Sequence, residues 1–105
     1  MEKSQFYLIG QIAAIAGRVA DVPELFANKV ASNPLCGLWT FWFVRTYQRY
    51  MYKADKYGMA EICANLSPDI KKGNMNCYEQ GEYWLGYYHQ LKVISDIDKR
   101  EIADE

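Results

Sequence analysis

Apolar residues recur at three- and four-residue steps through most of the chain, and no stretch shows the alternation of a half-buried strand. Leu8, Ile12, Ile15, Ala16 and Val19 set this period in the first segment, with Gly10, Ala13, Ala14 and Gly17 as small ground between them. The pattern predicts an amphipathic helix over residues 5–20 that allows a neighbour to approach closely. Asp21-Val22-Pro23-Glu24 predicts a second, short helix, with Asp21 as N-cap, Pro23 in the first turn and Glu24 at the capping-box offset. Asn33-Pro34 breaks it, because proline disfavours helix at the residue before it.

From Leu35 to Tyr57 no proline intervenes, and Gly58 is the natural stop. A long helix is expected there, apolar nearly all round at Leu38, Trp39, Phe41, Trp42 and Val44. In its second half Arg45, Arg49, Lys53 and Lys56 follow at steps of four, four and three, which puts four cations on one face beside Tyr47, Tyr50, Tyr52 and Tyr57. A short helix is expected over residues 59–65, then a polar connection through Ser67-Pro68-Asp69 and Lys72-Gly73-Asn74. Asn76 with Glu79 three residues on predicts the start of the last strong helix, whose stripe is Tyr83, Trp84, Tyr87, Tyr88, Leu91 and Ile94. Gly81 and Gly86 weaken that helix in isolation, and close approach of the Gly10 and Gly17 face of the first helix would compensate. The expected architecture is all-α, a small helical bundle with one long central helix: a single domain over residues 1–94 and an acidic tail over 95–105.

Composition adds constraints. At 105 residues, half of them hydrophobic and 15% aromatic, the chain is rich enough to bury a core of one domain. The formal charge is −1, but residues 95–105 carry −3, which leaves +2 for the rest. Nucleic-acid binding would therefore rest on the local basic stripe, where cations track phosphates and tyrosines stack on unpaired bases. A solvated helix face with snorkelling stems is the other reading of the same four residues. The most apolar N-terminal stretch, residues 6–16, is too short to span a bilayer and lacks the flanks of a signal peptide, so an intracellular, cytoplasmic chain is expected with no membrane partner. Cys36, Cys63 and Cys77 are odd in number and widely spaced beside a single histidine, a pattern of buried or half-buried reduced thiols and not of zinc or disulfides.

No motif joins His89 to a Ser or Cys nucleophile and an orienting carboxylate, and Lys72-Gly73-Asn74 lacks the rest of a phosphate-binding loop. The expectation is a non-enzymatic protein without cofactor or metal, in which His89 is a hydrogen-bonded structural residue.

One segment is crowded beyond what a core face requires. "GEYWLGYYHQ", residues 81–90, sets four aromatic rings beside the only histidine. It resembles the G-[RE]-[FY]-x-[LI]-G-Y-Y-H-Q signature near the C-terminus of the large subunit of type I-C CRISPR surveillance complexes, a segment also made separately as the small subunit. "FYLIGQIAAI", residues 6–15, is similar to that family's opening Y-L-x-G-[RQ]-x-x-A helix, and "FANKVASNP", residues 26–34, resembles its next element. The three pieces fall in family order over residues 6–90. Gln11 and Leu91 stand where the family carries arginine.

The resemblance implies a helical bundle that docks on backbone protein subunits and helps hold the guide-target duplex or the displaced DNA strand. It implies a packing role for Gly81, Gly86, Tyr87, Tyr88, His89 and Gln90, and marks Arg45 and Arg49 for nucleic-acid contact. A phage-type anti-CRISPR protein that mimics the small subunit is the alternative it leaves open.

Overall fold

A computed structural model describes residues 4–20, 55–66 and 75–103. Among these residues there is no strand, and three helices account for most of them: α1 (Gln5–Ala20), α2 (Met59–Ala64) and α3 (Cys77–Ala103). The fold is small and all-α. The helix expected after Asp21, nearly all of the one expected between Leu35 and Tyr57, and the polar connection after Leu66 lie outside the described residues.

Local chemistry explains where these helices begin. Ser4 precedes α1, and its Oγ accepts a hydrogen bond from the Tyr7 N–H at 3.1 Å while donating to Glu82 Oε2 at 2.6 Å. The cap thus ties the start of α1 to α3. Gly58 sits before α2 at φ 92°, a left-handed conformation in which a side chain would be strained, and its N–H donates to the Asp55 carbonyl at 3.0 Å. The stop expected at Gly58 is therefore a turn. At α3 the capping box forms as its sequence predicts: Asn76 Oδ1 accepts from the Glu79 N–H at 2.9 Å, and Glu79 Oε1 accepts from the Asn76 N–H at 2.8 Å.

α1 and α3 run parallel, since Ser4 bonds Glu82, Gln11 bonds Gln90 and Arg18 bonds Asp98 in that order. Steps of seven residues in α1 are matched by steps of eight in α3, two turns of helix in each case. Between these polar rungs, Ile9, Ile12 and Ile15 are fully buried with Tyr83 in the same core as Met59, Met75, Tyr87 and Ile94. Each such side chain contributes about 1.5–3 kcal/mol by leaving water.

One expectation for α1 is corrected. Every residue from Leu8 to Gly17 is buried, so this central run of α1 is enclosed on all sides and not amphipathic, while Gln5 to Tyr7 are half-buried and Arg18 is exposed. The physical reason is composition: Gln11 is the sole polar side chain in that run, and a helix apolar all round belongs at the centre. The long helix among the described residues is α3, with 27 residues. The segment expected as a charged tail continues α3 without a break through residue 103. Ile97 is half-buried there, while Ile102 is exposed.

Candidate functional site

The segment that carries the resemblance lies on the first half of α3, and the helix divides it between two faces. At 100° per residue Tyr83, Gly86, Tyr87, Gln90 and Ile94 share the inward side, and all five are buried. Gly81, Leu85 and Tyr88 fall on the opposite side and are exposed. The packing role implied for Gly81, Tyr88 and His89, all exposed, is thereby corrected, as is the inward stripe expected to include Tyr88, which is 61% exposed. Trp84 and Leu91 sit half-buried between the two faces.

Inward, the packing is close enough to require glycine. A Cβ on Gly86 would fall on the Tyr7 carbonyl oxygen, and one on Gly10 would meet the Tyr83 carbonyl and the Tyr87 nitrogen, the latter at 2.8 Å. The approach expected to compensate Gly86 is present, but Gly81 has open space around it and gains nothing from α1. The residues of "FYLIGQIAAI" and "GEYWLGYYHQ", distant in the sequence, are the two sides of this one contact.

Gln90 links three segments. Its Nε2 donates to the Tyr57 carbonyl oxygen at 3.0 Å, and its Oε1 accepts from Gln11 Nε2 at 3.0 Å. Tyr57 is held from its other end as well, because its hydroxyl donates to Asp98 Oδ1 at 2.7 Å. That hydrogen bond, with Arg18 beside it at 3.3 Å, holds the Asp98 carboxyl below the usual carboxylate range. Burial, then the Asp98 contact, pushes the Tyr57 hydroxyl up from its ordinary value. His89 is exposed and meets the Tyr7 hydroxyl through Nδ1 at 2.7 Å, with the rings 5.6 Å apart in an edge arrangement. It is a hydrogen-bonded residue, as its surroundings in the sequence suggest.

Outward, α3 presents an aromatic and aliphatic strip. Tyr78, Leu85 and Tyr88 are 76%, 51% and 61% exposed. Trp84 connects this strip to the core: it meets buried Tyr83 and Tyr87 edge-on, at 5.0 and 5.4 Å, and lies 6.2 Å from Tyr88. The Tyr88 ring is thus set against Trp84 and Tyr87.

Of the basic stripe, Arg45, Arg49 and Lys53 lie outside the described residues. Lys56 is exposed, and its ammonium is engaged with Glu101 at 3.1 Å and stands 4.8 Å from the Tyr57 ring centre. A phosphate contact by Lys56 would compete with Glu101 for the ammonium. Of the cysteines, Cys36 lies outside the described residues, Cys63 is half-buried as expected, and Cys77 is exposed because it opens α3 beyond the core face. Among the described residues no group of three or more His, Cys, Asp and Glu side chains could hold a metal ion, and no helix is long and apolar enough to cross a membrane.

Sequence reasoning missed the roles of Ser4 and Asp98, and its placing of Tyr57 among tyrosines that stack on bases beside the basic stripe is corrected, because Tyr57 is buried with its hydroxyl on Asp98. Ser4 carries a signal, a serine one residue before the first apolar period. Tyr57 and Asp98 carry none, because their pairing is tertiary. No family model, no curated protein and no solved structure matches the chain.

Proposed function

We propose that the chain is a non-enzymatic docking subunit of a CRISPR surveillance complex, in the position that the small subunit takes in type I-C complexes. The observation that carries this reading is the division of α3. Its inward side is locked against α1 by glycine contacts and buried amides, while Tyr78, Leu85 and Tyr88 stand exposed on the same rigid helix. Three exposed large apolar side chains on one side of a well-packed helix suit a protein partner better than they suit solvent. The resemblance of residues 6–15 and 81–90 names the partner: the protein subunits of the complex. DNA or guide RNA would be met through the assembly, with Arg45, Arg49 and Lys53 supplying phosphate contacts.

The test is target-DNA binding by a type I-C surveillance complex assembled without its small subunit, at fixed moderate salt, with and without this chain. Restored binding is the expected result. Failure to restore it, with no effect on the complete complex, overturns the reading. Failure to restore together with loss of binding when the chain is added during assembly of the complete complex would replace it with the anti-CRISPR alternative.

A further inference from the structure

We propose that the outward side of α3 pairs, antiparallel, with the same side of a second copy of this chain. The inference does not rest on the docking role, because it gives that face an occupant in the free chain.

α3 carries two opposite rows. The positions reached from Tyr78 by alternating steps of three and four residues, ending at Ile102, are all exposed. Tyr83, Tyr87, Gln90 and Ile94 form the row on the other side and are buried. Steps of three and four are the repeat by which one long helix seats against another, and here a partner can lie along the outer row while the inner row keeps its place in the core.

Gly81 belongs to the outer row. Glycine weakens an exposed helix position relative to alanine. Within the fold that cost has no return, since no atom among the described residues comes within 4 Å of the place where its Cβ would stand. Gly10 and Gly86 show what the residue does elsewhere in this chain: each admits a neighbouring helix. An open notch in a row of large side chains fits a long side chain that arrives from outside.

Charge selects that partner. The formal charges on the outer row are Lys92 and Lys99, both in its C-terminal half. The N-terminal half offers the rings of Tyr78 and Tyr88 and, beside Gly81, the carboxylate of Glu82. Each half therefore complements the other half and not itself. α3 runs from Cys77 to Ala103, about 40 Å at 1.5 Å per residue, with Gln90 at its midpoint. Full antiparallel overlap sets each residue against the one equally far beyond Gln90 on the second copy. Lys92 then lies against the Tyr88 ring, Lys99 enters the Gly81 notch next to Glu82, and Tyr78 packs on Ile102. Every contact occurs twice, as a two-fold interface requires. Parallel pairing would instead set Lys92 on Lys92 and Lys99 on Lys99. Tyr78, Leu85, Tyr88 and Ile102 are the large apolar side chains each copy contributes, few enough for a weak dimer.

Sedimentation equilibrium of the full chain, over about 5 to 500 µM at moderate salt, is the test. A reversible rise from one chain toward two is expected, with its midpoint at roughly tens of micromolar. Gly81→Arg fills the notch and sets a cation against Lys99 of the second copy, and Lys99→Glu sets an anion beside Glu82. Each should weaken association about tenfold or more, through like charges across the contact. Both positions are exposed, and circular dichroism at low concentration checks that the variants fold. The two changes in one chain place opposite charges across the contact and should restore association to within about threefold of the unmodified chain. Parallel pairing cannot give that rescue, because position 81 never meets position 99. A single chain at every concentration overturns the proposal, as does unchanged association in both single variants or a double variant no stronger than either. No surveillance complex is present in these measurements, so their failure leaves the docking reading to its own test.

Discussion

Gly10 of α1 and Gly86 of α3 lie at one helix crossing, each against the backbone of the other helix. A methyl group on either would sit inside contact distance of a carbonyl oxygen, and backbone cannot rotate away as a side chain can. Gly10→Ala and Gly86→Ala should each destabilise the fold by about 1–3 kcal/mol, after the helix-propensity gain of about 1 kcal/mol is offset by forced separation of the helices. Gly81→Ala meets open space and should stabilise by close to the full propensity term, about 1 kcal/mol. Urea denaturation of the three variants checks this. Equal effects at positions 81 and 86 would refute the close crossing.

Gln90 donates to Tyr57 and accepts from Gln11, so its loss strands two buried groups, whereas loss of Gln11 strands only the Gln90 oxygen. Gln90→Leu should cost about 2 kcal/mol or more, and Gln11→Leu about 1 kcal/mol, partly offset because it also removes an acceptor with no partner among the described residues. The double variant leaves only the Tyr57 carbonyl unanswered, so it should cost less than the two single changes added together. Additive losses in a double-mutant cycle would show that the two amides do not interact.

The extent to which the sequence foretold these features follows from their range. Helix starts were legible because they rest on local signals: the three- and four-residue period of α1, Asn76 with Glu79 for α3, and Gly58 for the turn; the end of α3 was not, since the expected tail continues the helix through residue 103. The close approach at Gly86 was legible too, since two glycines in a strong helix call for a reason. That Gly81 is exposed and Gly86 buried was not, because both belong to one motif and only the register of α1 on α3 separates them. Asp98 looked like one more charge in an acidic tail. Its role depends on Tyr57, more than forty residues away, which no local pattern reports. The enclosed position of α1 could have been read from its single polar residue, yet its glycines and alanines dilute the apolar signal that marks a central helix.

Asp98 makes stability depend on acidity. Its folded pKa is depressed by the Tyr57 hydroxyl and then by Arg18, so its contribution is complete above the ordinary carboxylate value of 3.8 and is lost as pH falls through the lower folded value. Asp98→Asn should flatten that part of the acid limb of a stability-against-pH curve, and Tyr57→Phe should shrink it by removing the larger cause. On the alkaline side the sign reverses. Tyr57 and fully buried Tyr83 have raised values, burial being the main cause in both, so their neutral forms support the fold below their ordinary value of 10.0 and the support is lost as pH climbs through the raised values. Tyr57→Phe should remove part of the alkaline loss. A curve of unchanged shape in both variants would exclude the Tyr57–Asp98 contact as a stabilising pair.

Leu85 and Tyr88 separate docking from folding. Both are more than half exposed on α3, so Leu85→Ser with Tyr88→Ser should change stability by only about 0.5 kcal/mol per site, the usual range for surface positions. If the outward strip is the docking face, the same pair of changes removes apolar contact from the centre of an interface, where single residues carry 2 kcal/mol or more. The double variant should therefore lose about thirtyfold or more in affinity for a surveillance complex assembled without its small subunit, measured by surface plasmon resonance with the complex immobilised. Thermal melts of the free chain run alongside as the control. Retained affinity in a folded double variant would move the docking face away from α3, and lost affinity in an unfolded one is avoided by design, because neither side chain belongs to the core.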